Sequence, residues 1–266
     1  MLQRFDRARP LRWILIALAA FPLSGSLSPR DGNVKISGIV RDFDGKALDG
    51  VSVILKDKQF KSLYETLSDK DGRYALSVPK GIYYCLYAIR LPEYRVSRLE
   101  YWAWNVPAYE DMEIDPRYDR MEIYGVNVFE PQVTPHETYM VYFRPMSLAK
   151  SRAIVEAQKV DARKFEQADR AEGLLRTAPG NVLDMAPAAV TAGELTVEVN
   201  GAKAEILGIT KTTEYARGIS CHGYLVQVLK PKGAPAPLGR YDRITIVLRS
   251  AETGEAGMGE GFIERK

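Results

Sequence analysis

The chain has 266 residues, 46% of them hydrophobic and 27% charged, which excludes a disordered or fibrous protein and fits one large or two ordinary globular domains. Its 37 basic and 34 acidic residues give a net charge of +3, but residues 1–26 hold four Arg and one Asp, so the remainder carries 33 of each sign. That balance, with no separate basic tract, excludes nucleic acid as a partner.

Residues 1–26 read as a secretory signal peptide. Arg4, Arg7, Arg9 and Arg12 precede the apolar run "WILIALAAFPL" (13–23), and the small residues Ser24 and Ser26 follow at cleavage spacing. The run is about half the length a spanning helix needs, so membrane contact is expected only in transit, with a retained anchor as the alternative. Ser26 stands where a lipoprotein signal would place its cysteine. The expected product starts at Leu27, carries no lipid, and is periplasmic, cell-surface or secreted.

From residue 34 short strand patterns alternate with turns: "VKISGIVR" (34–41), "VSVILKD" (51–57), "KSLYETLS" (61–68), "RYALSVP" (73–79), "IYYCLYAIR" (82–90), "MEIYGVNVFE" (121–130) and "TYMVYFRP" (138–145). Seven strands at this spacing, punctuated by Asp-Gly turns, predict an antiparallel sandwich over 34–146. Residues 147–176 are rich in Ala, Glu, Lys, Arg and Gln and predict an amphipathic helix. With the Pro-rich stretch 177–193 it forms a linker. A second series, "ELTVEVNGAKAEILGI" (194–209), "GYLVQVLKP" (223–231), "DRITIVLRS" (242–250) and "GMGEGFIER" (257–265), predicts a smaller antiparallel β domain over 194–266. The expected fold class is therefore mainly β: two β domains joined by a helical linker.

The segments "SGIVRDFDGKALDGVSVIL" (37–55) and "LSDKDGRYALSVPKGIYY" (67–84) carry a resemblance. Through Gly38, Val40, Asp42, Gly45, Leu48, Gly50, Val53, Asp69, Gly72, Tyr74, Pro79, Gly81 and Tyr83, residues of about 34–145 resemble the carboxypeptidase regulatory-like domain, a transthyretin-like β-sandwich. Ala47, Val51 and Ser68 depart from that family's usual Pro, Ala and Thr. The resemblance implies a non-catalytic accessory or surface module in an exported bacterial protein. It says nothing of residues 147–266.

The inventory for catalysis is thin. His136 and His222 are the only histidines, and no paired-histidine zinc motif occurs. Cys221 adjoins His222, but neighbours on a strand point to opposite faces, which serves a nucleophile–base pair badly. No enzymatic activity and no cofactor are expected. Cys85 and Cys221 are expected to be buried thiols in separate domains. Asp42–Gly45 and Asp69–Gly72 resemble the start of calcium loops, yet Asp-Gly turn chemistry explains both. Asp111, Glu113 and Asp115 alternate with Met112 and Ile114, placing three carboxylates on one strand face. With Glu110 they form a weak calcium candidate, the alternative being a solvated face.

The remaining signal is "EYWAWNVPAYEDMEID" (100–115). On a strand Trp102, Trp104 and Val106 share one face and Tyr101, Ala103 and Asn105 the other, with Pro107 ending the pairing. The indoles either pack in the first sandwich or between the two β units, or form a stacking surface for a glycan or protein with Asn105, Tyr101 and Tyr109. Three functions follow: a non-enzymatic binding or structural module of the bacterial envelope, a carbohydrate-binding accessory protein, or a protein that assembles with itself or docks an envelope partner.

Overall fold

A computed structural model describes residues 32–133, 135–157, 182–216 and 219–265. The signal segment and the helix expected beyond residue 157 lie outside the described residues. In chain order the strands are β1 (Asn33–Ile39), β2 (Ser52–Lys56), β3 (Ser62–Leu67), β4 (Arg73–Pro79), β5 (Gly81–Ile89), β6 (Tyr101–Ala108), β7 (Met112–Glu113), β8 (Met121–Phe129) and β9 (Thr138–Ser147). The helix α1 (Leu148–Ala157) follows, then β10 (Val182–Leu183), β11 (Leu195–Val199), β12 (Ala202–Lys203), β13 (Glu205–Ala216), β14 (Ile219–Leu229), β15 (Tyr241–Arg249) and β16 (Ala256–Glu264). The protein is mainly β, as the strand patterns predict. Among the described residues no helix is long and apolar enough to cross a membrane.

The strands form three sheets. The largest has eight strands in the order β12-β11-β15-β16-β6-β5-β2-β3; a second has the order β10-β14-β9-β8 with β13 on β14; the third is β4-β1-β7. The two strand series of the sequence therefore do not build separate sheets. β6 of the first pairs in parallel with β16 of the second, through Trp102–Gly259 and Trp104–Gly261. β8 and β9 of the first join β13 and β14 of the second, through partners such as Val141–Val226. Alternation along the eight-stranded sheet splits its side chains between two cores. Leu86, Ala88, Tyr101, Ala103, Met258 and Phe262 pack with Ile36, Leu76 and Val78 of the three-stranded sheet. Trp102, Trp104, Ile244 and Ile246 pack with Met121, Ile123, Val141 and Val226 of the five-stranded sheet. The eight-stranded sheet is thus a shared middle layer whose central strands β15, β16, β6 and β5 are buried on both faces, while β3 and β12 at its edges are largely open to solvent.

The residues that carry the family resemblance hold the turns of the first half. A Cβ on Gly38 would lie 1.8 Å from the Ile114 carbonyl oxygen, and Gly72, at φ +75°, lies against the Val40 carbonyl. Ser68 accepts from the Val51 N–H at 2.9 Å and donates to the Leu48 carbonyl at 2.7 Å, so a hydroxyl, whether of Ser or Thr, is what this buried corner requires. Tyr74 donates to the Ile114 carbonyl and Tyr83 to that of Pro79, each at 2.7 Å. In the second half Asn200 and Gly201, at φ 52° and 81°, close the β11–β12 hairpin expected of an Asn-Gly pair.

Candidate functional site

The two indoles are inside. Trp102 is 6% and Trp104 5% exposed, in the core between the middle and five-stranded sheets. Their rings stack at 5.3 Å and 18°, and Tyr124 of β8 meets both edge-on at 5.3 and 5.0 Å. Phe60, from the β2–β3 loop, closes over them at 6.1 and 6.3 Å. Neither indole offers an open face on which a ring could stack.

The other residues grouped with the indoles are dispersed. Tyr101 is fully buried in the opposite core, where its hydroxyl donates to Glu260 at 2.6 Å. Asn105 is exposed and Tyr109 stacks on Tyr241 at 6.0 Å. Val106 does not share the indole face: it lies in the first core with Tyr101. The cause is Asn105, whose φ of 59° interrupts the alternation. Nor does Pro107 end the pairing, since it sits opposite Ile82 and the ladder runs to Ala108.

The seam also encloses two carboxyl groups. Glu100, just before β6, is 6% exposed, and Glu122, on β8, is 2% exposed. The Tyr87 hydroxyl donates to Glu100 Oε2 at 3.0 Å. Glu122 Oε1 and the Trp102 and Trp104 indole N–H groups are buried without hydrogen-bond partners. Burial pushes the Glu100 carboxyl up to about 7, against the pull of the Tyr87 hydroxyl and the Arg95 charge. Burial and then the facing Glu100 charge raise Glu122 as well. Acids this far apart in sequence carry no local signal of such pairing.

The calcium candidates are backbone partners. Asp111 and Asp115 accept from the β1 N–H groups of Lys35 and Ile39, each at 2.7 Å, and Arg243 donates to the Glu113 carbonyl at 2.5 Å. Glu110 is exposed beside them, while Met112 and Ile114 point into the core. Asp42 and Asp69 each take two N–H groups of their own turn at 2.9–3.1 Å. Asp57 does the same at 2.9 Å, without an Asp-Gly pair to announce it. Among the described residues no three His, Cys, Asp or Glu side chains are gathered to hold a metal.

Cys221 and His222 look to opposite sides of β14. The thiol lies 3.6 Å from Arg144 Nη1 and 3.8 Å from Glu214, whereas the imidazole Nδ1 meets Thr213 at 3.3 Å. Both cysteines are free, but only Cys85 is fully buried; Cys221 is half-buried. Burial pushes the Cys85 thiol up to about 12. A water-soluble disulfide reagent is therefore expected to label one thiol per native chain and two after denaturation. Loss of the native label in Cys221→Ser checks the assignment.

A polar cleft of about 530 Å³, which no local motif announces, opens at one end of the sandwich. Its floor is the buried Asp242, which accepts from Tyr139 at 2.6 Å and Asn200 at 2.7 Å and pairs with Arg265 at 3.1 Å. Lys230 spans its wall, 2.5 Å from Glu130 and 4.2 Å above the Tyr139 ring. Lys230 and Arg265 are thus each paired with a carboxylate, and Glu137 adds a third acid to the lining.

No family model and no curated protein matches the sequence. Among solved structures, the chain is similar to the major pilin subunit BcpA of Bacillus cereus at 11% identity, with a TM-score of 0.26 over 88% of this chain and 69% of that one. A DUF3823 family protein from Parabacteroides merdae is matched at 10% identity and a TM-score of 0.25, over 88% of this chain and 98% of that one. The major pilin SpaA of Corynebacterium diphtheriae is matched at 8% identity and a TM-score of 0.23, over 80% and 62%. At these values the likeness carries no argument about activity.

Proposed function

We propose that the chain is an exported, non-enzymatic module of the bacterial envelope, built on a carboxypeptidase regulatory-like sandwich over residues 34–145 and acting as a structural or protein-binding part. The observation that carries this reading is the fate of the chemically able side chains. The aromatics of 100–109 pack in or against cores, Asp42, Asp69, Asp111 and Asp115 hold turns and edges, and Cys221 and His222 face apart. A middle sheet whose central strands are covered on both faces suits a body that bears load or presents a surface. The leader supports the address. The carbohydrate-binding alternative loses its platform with the burial of Trp102 and Trp104.

Expression from the full sequence, followed by fractionation, N-terminal sequencing and a hydrolase panel, tests this. The expected result is material outside the cytoplasm that begins at Leu27 and turns over no substrate. Turnover abolished by Cys221→Ala or His222→Ala would make the protein an enzyme and overturn the reading.

A further inference from the structure

Glu100 and Glu122 belong to different layers. Glu100 leads into β6 of the middle sheet and Glu122 lies on β8 of the five-stranded sheet. Both are buried beside the same indole, Trp102, and act on one another electrostatically. Every element packed around them contributes a polar or charged group: Lys56 from β2, Tyr87 from β5, Tyr94 and Arg95 from the loop after β5, Trp102 from β6 and Arg144 from β9. Few of these are placed to neutralise a second negative charge. Lys56 sits 4.8 Å over the Tyr87 ring, and Arg144 is 3.3 Å from Glu214 and stacked 4.7 Å over Tyr124. Arg95 attracts both carboxylates, from a left-handed backbone position at φ 60° in a loop that displays Leu91 and Val96 to solvent.

We propose that Glu100 and Glu122 form a proton-operated clasp between the middle and five-stranded sheets. With at least one carboxyl protonated the aromatic seam is shut; when both ionise, the seam loosens at that end and Trp102 becomes reachable from solvent. Two anions facing one another in a dry seam cannot both persist, because desolvation and mutual repulsion oppose the second charge. Glu122 Oε1 is unpartnered, and the nearest donor, the Trp102 indole N–H, lies beside both carboxyls and cannot compensate two charges at once. What Arg95 and the Trp102 N–H leave uncompensated in the doubly ionised pair is stabilised by water entry, which requires β8 to part from β6. Burial pushes Glu100 up to about 7, and burial with the facing Glu100 charge raises Glu122 too, so the second ionisation lies above the ordinary carboxylate range. The clasp is closed in mildly acidic surroundings and open in alkaline ones.

The test uses the full chain with Trp13→Phe, which leaves Trp102 and Trp104 as its only indoles. Acrylamide quenching is read from about pH 6 to about pH 9, with far-UV circular dichroism as the control for folding; the quenching constant is expected to rise about two-fold while the strand signal holds. Glu122→Gln should flatten the response, since one remaining carboxyl can ionise without a charged neighbour. Infrared spectroscopy of the parent should show a protonated carboxylic-acid stretch at the lower pH that disappears at the higher, a readout that does not depend on the variant folding. Quenching that is flat across the range in the folded parent, no such stretch at the lower pH, or a rise that persists in Glu122→Gln would each overturn the clasp.

Discussion

Gly259→Ala is expected to destabilise the protein by about 2–3 kcal/mol, and Gly259→Val to prevent native packing altogether. The residues Gly257, Gly259 and Gly261 alternate along β16, so all three present the same face to β8. A Cβ at these positions would stand 2.5 Å from the Met121 carbonyl oxygen, 2.6 Å from that of Ile123 and 2.8 Å from Val126 Cγ1. Two of the three obstacles are backbone, which cannot rotate away. The row of glycines is therefore what lets β8 lie on the middle sheet and close the second core. With about 5–15 kcal/mol of net stability in a typical domain, a β-branched side chain here exceeds what the fold can absorb. Gly208→Ala is the control: it also replaces a strand glycine, but its Cβ would meet nothing within 4 Å. Urea denaturation compares the two, and equal midpoints would mean that β8 does not rest on β16.

That row shows where sequence reading stopped. "GMGEGFIER" reads correctly as a strand, and its Met258 and Phe262 fall on a core face. Nothing local says that its glycine face awaits β8, more than a hundred residues earlier, or that its edge pairs in parallel with β6. Period-two patterns specify faces, not partners, so the two strand series looked separable. Local chemistry was legible: the Asx turns of Asp42 and Asp69 and the Asn200-Gly201 hairpin are each set by residues a few positions apart. Of the candidate site, the shared face of Trp102 and Trp104 was legible because alternation holds across them. The flip of Val106 was not, because Asn105 adopts a conformation to which its sequence context gives no clue. The acid pair was invisible for the same reason as the sheet partners, since its members meet only after the layers stack.

Trp104→Ala should cost about 4–5 kcal/mol at roughly pH 8, and Trp102→Ala about 3. Their burial is nearly equal, 5% and 6% exposed, so area alone predicts no difference. What differs is the company each keeps. Trp104 packs against Phe60, Tyr84, Trp102 and Tyr124, and its removal leaves an apolar cavity that water does not stabilise. Trp102 also packs against Tyr87 and lies beside Glu100 and Glu122. Removing it admits water to two carboxyls whose ionisation the dry seam opposes, and that relief offsets part of the lost packing. The relief depends on pH in a definite sense. Because burial raises both carboxyls in the folded state, the fold bears no cost below the ordinary carboxylate range, where folded and unfolded chains both hold the protons. The cost appears as pH rises from that range toward the folded-state values. At about pH 4 there is consequently nothing to relieve, and the two alanine variants should be equally destabilised. Denaturation midpoints of both variants at the two pH values decide the matter. A constant gap would assign the difference to packing alone, whereas a gap that closes on acidification would tie the stability of the seam to the protons of Glu100 and Glu122.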